Sequence, residues 1–238
     1  MNIQISERPE QLVAACAEHL ISVLAESIEA RGRARIALAG GSTPKSLYDH
    51  LASPALANRI DWGRVDCYFG DERAVPQGHP DSNFGMAQRH LFVPLGLPRD
   101  NQFPMISAPM GDLDAEADRY QALLAEWAEP EGPVFDLMLN GMGTDGHFAS
   151  LFPGTPALTE RDRWVVVNPV PQLSTQRLTL TFPVFERARH VCFLTAGADK
   201  RPAFQAIRQP DSDLPCAQLV RRRPTDWFVD RACTDTSD

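Results

Sequence analysis

Val134-Phe135-Asp136-Leu137-Met138-Leu139-Asn140 runs directly into Gly141-Met142-Gly143-Thr144-Asp145-Gly146-His147. The first seven residues are an apolar run of strand length that stops abruptly at Asn140 and three glycines, so they read as a buried strand. The next seven then form a tight polar loop at its carboxyl end. In open α/β sheets ligands bind at that end, which makes a loop carrying the Asp145 carboxylate and the His147 imidazole a candidate active site. The same residues also suit a plain turn in which His147 caps the start of a helix.

Gly141, Gly143 and Gly146 formally match the dinucleotide fingerprint G-x-G-x-x-G. That fingerprint needs a full crossover helix after the third glycine and an acidic residue about 20 positions further on. Here Pro153-Gly154 ends any helix within two turns, and the next strand-like run, Trp164 to Val167, stops at Asn168. A dinucleotide site is therefore set aside.

Outward from this stretch the chain alternates strand and helix signals. Pro9 to Ala30 carries Leu12, Val13, Cys16, Leu20, Val23, Leu24 and Ile28 at helical spacing. A start at Ser6 or Glu7 and an end at Arg31-Gly32 are expected. Arg35 to Ala39 reads as a short strand that meets Gly40-Gly41-Ser42-Thr43-Pro44, with Ser42 or Thr43 as N-cap of a helix over Lys45 to Leu51. Glycines beside a helix start make a plausible phosphate cradle, because unpaired N–H groups and the helix dipole both favour an anion. An ordinary strand-to-helix turn uses the same residues.

Val65 to Phe69 is the next strand, followed by Asp71-Glu72-Arg73, whose charges mark either a site at a strand end or a surface ion-pair cluster. Asp81-Ser82-Asn83 caps a helix reaching about Leu91, and Asp112 to Trp127 forms another. Beyond the central loop, Trp164 to Val167, Arg177 to Thr181 and His190 to Ala196 read as strands. Pro183 to Arg187 and the residues from Lys200 to about Ile207 read as helices, and Asp226 to Asp230 as a last, edge strand. The expected fold is α/β, a mostly parallel open sheet with helices on both faces, and a single domain over 1–238.

The 238 residues carry a net charge of −8, which argues against a nucleic-acid partner. Arg221-Arg222-Arg223 is the sole basic run and reads as a solvated face. Five cysteines in no paired or metal-type spacing fit a reducing cytosol. With neither a signal segment nor an apolar run of membrane-spanning length, no membrane partner and a cytoplasmic location are expected. The six histidines show no H-x-x-x-H or His/Cys cluster, so no metal site is expected. Nor is there a G-x-S-x-G elbow. No exposed apolar stripe compels a dimer, and a monomer or weak homodimer is expected.

Taken in order, the strand-end loops are Gly40 to Pro44, Asp71-Glu72-Arg73 with Pro80-Asp81-Ser82-Asn83, residues 141 to 154, and Gly197-Ala198-Asp199-Lys200. Together they resemble the 6-phosphogluconolactonase family, from roughly Ala34 to Ile207. The resemblance implies a modified Rossmann-like fold of the sugar-phosphate isomerase/glucosamine-6-phosphate deaminase kind. It also implies hydrolysis of 6-phosphoglucono-δ-lactone to 6-phosphogluconate with no metal or organic cofactor. A lactone is an activated ester, so the chemistry needs a positioned water, a base and oxyanion donors. On this resemblance His147 is the base and Asp145 its partner, while backbone N–H groups of Gly141, Gly143 and Gly146 hold the oxyanion. Gly40, Gly41, Ser42, Thr43, Arg73 and Lys200 hold the phosphate. The family usually follows this histidine with a small polar residue, commonly Thr; Phe148 departs from that and bears on the pocket's shape.

Glucosamine-6-phosphate deaminase resembles this family in fold and loop, but it carries Asn-Glu-Pro-Gly after the histidine. Here the segment is Ser150-Leu151-Phe152-Pro153-Gly154, with Phe152 in place of the carboxylate. A sugar-phosphate-binding regulator is a further alternative, although it would add a basic DNA-binding module for which the N-terminus has no room.

Overall fold

A computed structural model of the chain describes residues 1–234. In chain order the elements begin with β1 (Asn2–Ser6), α1 (Pro9–Arg31), β2 (Ala34–Leu38), α2 (Ser42–Leu51), β3 (Val65–Phe69), β4 (Asp71–Arg73), α3 (Asn83–Ala87) and α4 (Val93–Leu95). They continue with α5 (Leu113–Ala125), β5 (Leu137–Asn140), β6 (Val165–Val170), β7 (Thr175–Leu180) and α6 (Phe182–Arg187). The last are β8 (His190–Thr195), α7 (Arg201–Ala206), α8 (Pro215–Arg222), β9 (Asp226–Asp230) and α9 (Arg231–Thr234).

Six strands form a parallel sheet in the order β1-β9-β8-β5-β2-β3. Strand β9 is therefore interior, and the edge on that side is β1, which the sequence reading did not recognise. Residues side by side in a parallel register share a face. Cys67, Ile36, Leu137 and His190 line one face, and Cys192 two residues on meets Cys16 of α1 at 3.8 Å. Tyr68 and Phe193 project to the other. There Tyr68 meets Tyr120 of α5, and Phe193 stacks on Trp227 with ring centroids 4.0 Å apart. Helices thus cover both faces, as expected.

Helix α1 starts at Pro9 after Arg8, slightly later than anticipated, and ends as anticipated. Gly32 adopts φ +78°, and its N–H bonds to the Ile28 carbonyl. This helix is in fact long and apolar enough to match a bilayer span by length and composition. Its Leu12, Cys16, Leu20 and Leu24 are instead buried in the core with the sheet residues.

The remaining strands do not join the parallel sheet. They form a separate antiparallel sheet, β4-β7-β6. The chain leaves β3 through Gly70, whose N–H bonds to the Leu38 carbonyl and whose carbonyl accepts from Leu180, so the small sheet is hinged to the end of β2. Asp71-Glu72-Arg73 is therefore a strand, not a surface ion-pair cluster. Asp71 and Glu72 are buried, and Glu72 accepts hydrogen bonds from the N–H groups of Arg73, Asn83 and Phe84 and from the Ser82 hydroxyl. Ile3 and Ile5 on β1 are among the exposed large apolar side chains.

Candidate active site

Strand order reverses between β2 and β5, the place where an open α/β sheet leaves a crevice at the carboxyl ends of its strands. A cleft of about 240 Å³ lies there. Its floor comes from the ends of β2, β5 and β8, and the small sheet forms one wall. Gly40, Gly41, Ser42, Thr43, Arg73, Gly141, Gly143, His147 and Lys200 all line it, so nine of the sequence candidates converge.

The loop after β2 is held from behind. Tyr48 of α2 donates its hydroxyl to the Ala39 carbonyl at 2.7 Å and accepts from the Ala39 N–H at 3.1 Å, tying the helix to the strand end. Gly40 has no room for a side chain, because a Cβ there would lie 1.8 Å from Asn83 Oδ1. Gly41, at φ +107°, is the N-cap of α2, and no side chain caps the helix. Ser42 and Thr43 are the first helical residues and not the caps expected of them. A helix start with no side-chain acceptor keeps its first N–H groups for another anion.

The loop after β5 turns tightly. Gly143 N–H donates to the His147 carbonyl at 2.8 Å, Gly146 N–H donates to the Gly143 carbonyl at 3.1 Å, and His147 N–H reaches Asp145 Oδ1 at 3.2 Å. The N–H groups of Gly143 and Gly146 are therefore consumed inside the turn and are not the oxyanion donors anticipated. Gly146 does not line the cleft. Its φ of +72° and the approach of Leu214, which would meet a Cβ at 2.8 Å, make it a structural glycine. The Cys216 N–H donates to its carbonyl at 3.0 Å, so the start of α8 buttresses the loop. No helix begins at His147.

Asp145 stands behind the histidine, Oδ1 to Nδ1 at 2.5 Å. With Nδ1–H directed at the carboxylate, the Nε2 lone pair is free. Partial burial pushes the Asp145 carboxyl up, but the hydrogen bond and charge of His147 outweigh it and hold the group below the usual aspartate range. On its other face the imidazole stacks on Phe152, ring centroids 3.9 Å apart and 24° between planes. Phe148 turns away into the core against Phe182, Phe185 and Phe193, fully buried, so its bulk does not shape the pocket.

One further cation in the cleft, Arg177, was not marked by the sequence. Arg177 of β7 stands opposite Arg73 in the antiparallel register and lies 4.0 Å from Asp71. Asp71 in turn accepts from the Ser150 hydroxyl at 2.6 Å, which ties the loop after β5 to the small sheet. Arg177 also lies over the Phe152 ring, 6.0 Å from its centre. Lys200 reaches in from the turn after β8, 3.2 Å from Asp199. Three cations around one cleft in a chain of net charge −8 point to an anionic ligand. The buried Thr195 Oγ1 and Arg73 Nε have no hydrogen-bond partner among the described residues, and both residues line the cleft.

Residues 7–228 match the family model described as glucosamine-6-phosphate isomerases/6-phosphogluconolactonase. The chain belongs to this family. Within it, the chain is 43% identical to the 6-phosphogluconolactonase of Synechocystis over 214 residues, covering 87% of this chain and 86% of that one. It is 38% identical to the Mycobacterium tuberculosis 6-phosphogluconolactonase over 239 residues, 97% and 96% of the two chains. Among solved structures, the Trypanosoma brucei 6-phosphogluconolactonase superposes with a TM-score of 0.85 at 30% identity, covering 98% of this chain and 97% of that one. The family model spans all four strand-end loops and the parallel sheet apart from β1 and the last two residues of β9.

Proposed function

We propose that the protein hydrolyses 6-phospho-D-glucono-1,5-lactone to 6-phospho-D-gluconate, the second step of the oxidative pentose phosphate pathway. The observation that carries this reading is the His147–Asp145 pair, its Nε2 free, on a cleft lined by three cations. Full-length similarity to 6-phosphogluconolactonases supports it.

The phosphate dianion binds at the start of α2, on the N–H groups of the Gly40 to Thr43 loop, with Arg73 and Lys200 supplying charge. That places the lactone carbonyl toward His147. Nε2 takes a proton from water as it attacks C1, and Asp145 stabilises the imidazolium that forms. Gly141 and Met142 at the carboxyl end of β5 and the Arg177 guanidinium are the groups left to meet the oxyanion. The imidazolium then returns its proton to the ring oxygen as the C–O bond breaks, so no net proton stays on the enzyme.

Deaminase chemistry is the weaker reading. Its ring opening calls for a carboxylate where Phe152 stacks on the base, and an aromatic face has no proton to transfer. The test is acid release from freshly generated lactone, corrected for spontaneous opening, for wild type and His147→Ala with EDTA present. Wild type is expected to run well above background, and the variant to lose at least about 10²-fold in kcat/KM. A wild type with no rate above background overturns the proposal.

A further inference from the structure

At the opposite, amino-terminal end of the sheet, three metal-ligating side chains converge that lie far apart in sequence. His19 projects from α1, His190 is the first residue of β8 and Asp226 the first of β9. One donor atom from each lies within 4.8 Å of the others. Their common face follows from the register. Cys192 pairs with Asp226, so His190, two residues earlier, shares the face on which α1 packs.

The geometry at His19 is not that of a completed hydrogen bond. Its Nε2 is buried with no hydrogen-bond partner among the described residues, and the Asp226 Oδ2 it faces is 3.7 Å away. A buried ring nitrogen with nothing bonded to it costs free energy unless something fills the gap. Two ligands about 2.0–2.1 Å from one metal ion at the tetrahedral angle stand roughly 3.3 Å apart, so small side-chain rotations close this pair around an ion. His190 needs a larger swing, its donor atom lying within 4.8 Å of the other two.

The surroundings suit such an ion. Asn2 Nδ2 donates to Asp226 Oδ1 at 2.9 Å, orienting the carboxylate with Oδ2 toward His19, as outer hydrogen bonds orient metal ligands. Phe228 packs on the His19 ring at 5.3 Å and walls one side. Burial holds His19 below the usual histidine range, which keeps its lone pair available, while the charges of Asp226 and Glu26 pull the other way. Arg223, on which the Asp226 charge acts, donates its guanidinium to the carbonyls of Phe185, Ala188 and Arg189.

We propose that His19, His190 and Asp226 form a zinc-class site, three protein ligands with a fourth position open to water, that pins α1 to the starts of β8 and β9. Two imidazoles with one carboxylate select a late first-row divalent ion over calcium or magnesium, which require oxygen donors throughout. The site is separate from the cleft, because β8 runs from His190 at one end to Thr195 at the other, about 16 Å away. The lactone chemistry above makes no use of it.

The test uses full-length protein stripped with EDTA and dialysed, then titrated with zinc sulfate by calorimetry and melted with and without one equivalent of zinc. Wild type should bind zinc and melt higher with it. His190→Ala should keep the wild-type melting temperature without zinc and its lactone hydrolysis, but lose the zinc-dependent rise and at least about tenfold in affinity. His19→Gln should behave alike; should it fold poorly, His190→Ala alone decides. His90→Ala breaks the His90–Asp49 surface pair and should retain the rise, and His147→Ala controls for zinc at the cleft. No zinc binding by wild type, or an undiminished rise in His190→Ala, overturns the proposal.

Discussion

Gly143 shows how closely the His147–Asp145 pair depends on an atom that is missing. A Cβ at this position would lie 2.1 Å from His147 Nδ1 and 2.6 Å from Asp145 Oδ1, so the pair occupies the space a side chain would take. Gly143→Ala must displace the imidazole or its carboxylate while leaving the core alone. A displacement of about 1 Å at a catalytic group costs on the order of 10²-fold in rate. The expected result is a loss of that size in kcat/KM with circular dichroism and melting temperature close to wild type. Near-wild-type activity would mean that the dyad does not act from the position seen. Asp145 itself carries a pH signature. Its carboxyl is held below the usual range, so it adds stability above the unfolded-state value of about 3.9 that is lost as pH falls through the lower folded value. Asp145→Asn cannot titrate there. The difference in melting temperature between wild type and Asp145→Asn should shrink as pH falls below about 4.

Among the elements, β4 is the one on which the cleft wall depends, and it is three residues long. Its anchor is Glu72, buried at 1% exposure, on which three backbone N–H groups and the Ser82 hydroxyl converge. Glu72→Gln presents an NH2 group to an array of donors. Each donor left unmet costs about 1–3 kcal/mol. For a chain of this size, about 2–4 °C accompanies each kcal/mol. A fall of roughly 3–10 °C in melting temperature is expected, with a raised KM because Arg73 sits on the same strand; an unchanged melting temperature would refute the anchor. The same strand explains what was hidden in the sequence. The central loop was legible because Asp145 and His147 are two residues apart and the apolar run before them is local. Asp71-Glu72-Arg73 has no apolar period, so nothing marked it as a strand. Arg177, in a run that read simply as a strand, reaches the cleft only because β7 pairs with β4 across about a hundred residues of chain. The order β9 before β1 was equally invisible, since Asp226–Asp230 and Asn2–Ser6 are both short and only pairing decides which is the edge. His19, His190 and Asp226 likewise have no sequence spacing to reveal them.

At the scale of the molecule, the cleft lies between two sheets that are also joined directly. The Gly70 hinge and the Asp71–Ser150 hydrogen bond are two of the connections. An anion held at once by the α2 start, by Arg73 and Arg177 of the small sheet and by Lys200 after β8 would bind across that division, and only in the folded state. Ligand that binds only the native protein stabilises it by RT ln(1 + [L]/Kd), about 2.7 kcal/mol at a hundredfold its Kd. At about 2–4 °C per kcal/mol, 6-phosphogluconate at that concentration should raise the melting temperature by roughly 5–11 °C. Lys200→Ala and Arg73→Ala should each need more ligand for the same rise, and their KM for the lactone should increase in parallel, because remote phosphate binding positions the reacting carbon. Gluconate without the phosphate should give little rise at equal concentration. A rise as large with gluconate, or variants that titrate like wild type, would place the charge recognition elsewhere than in this cleft.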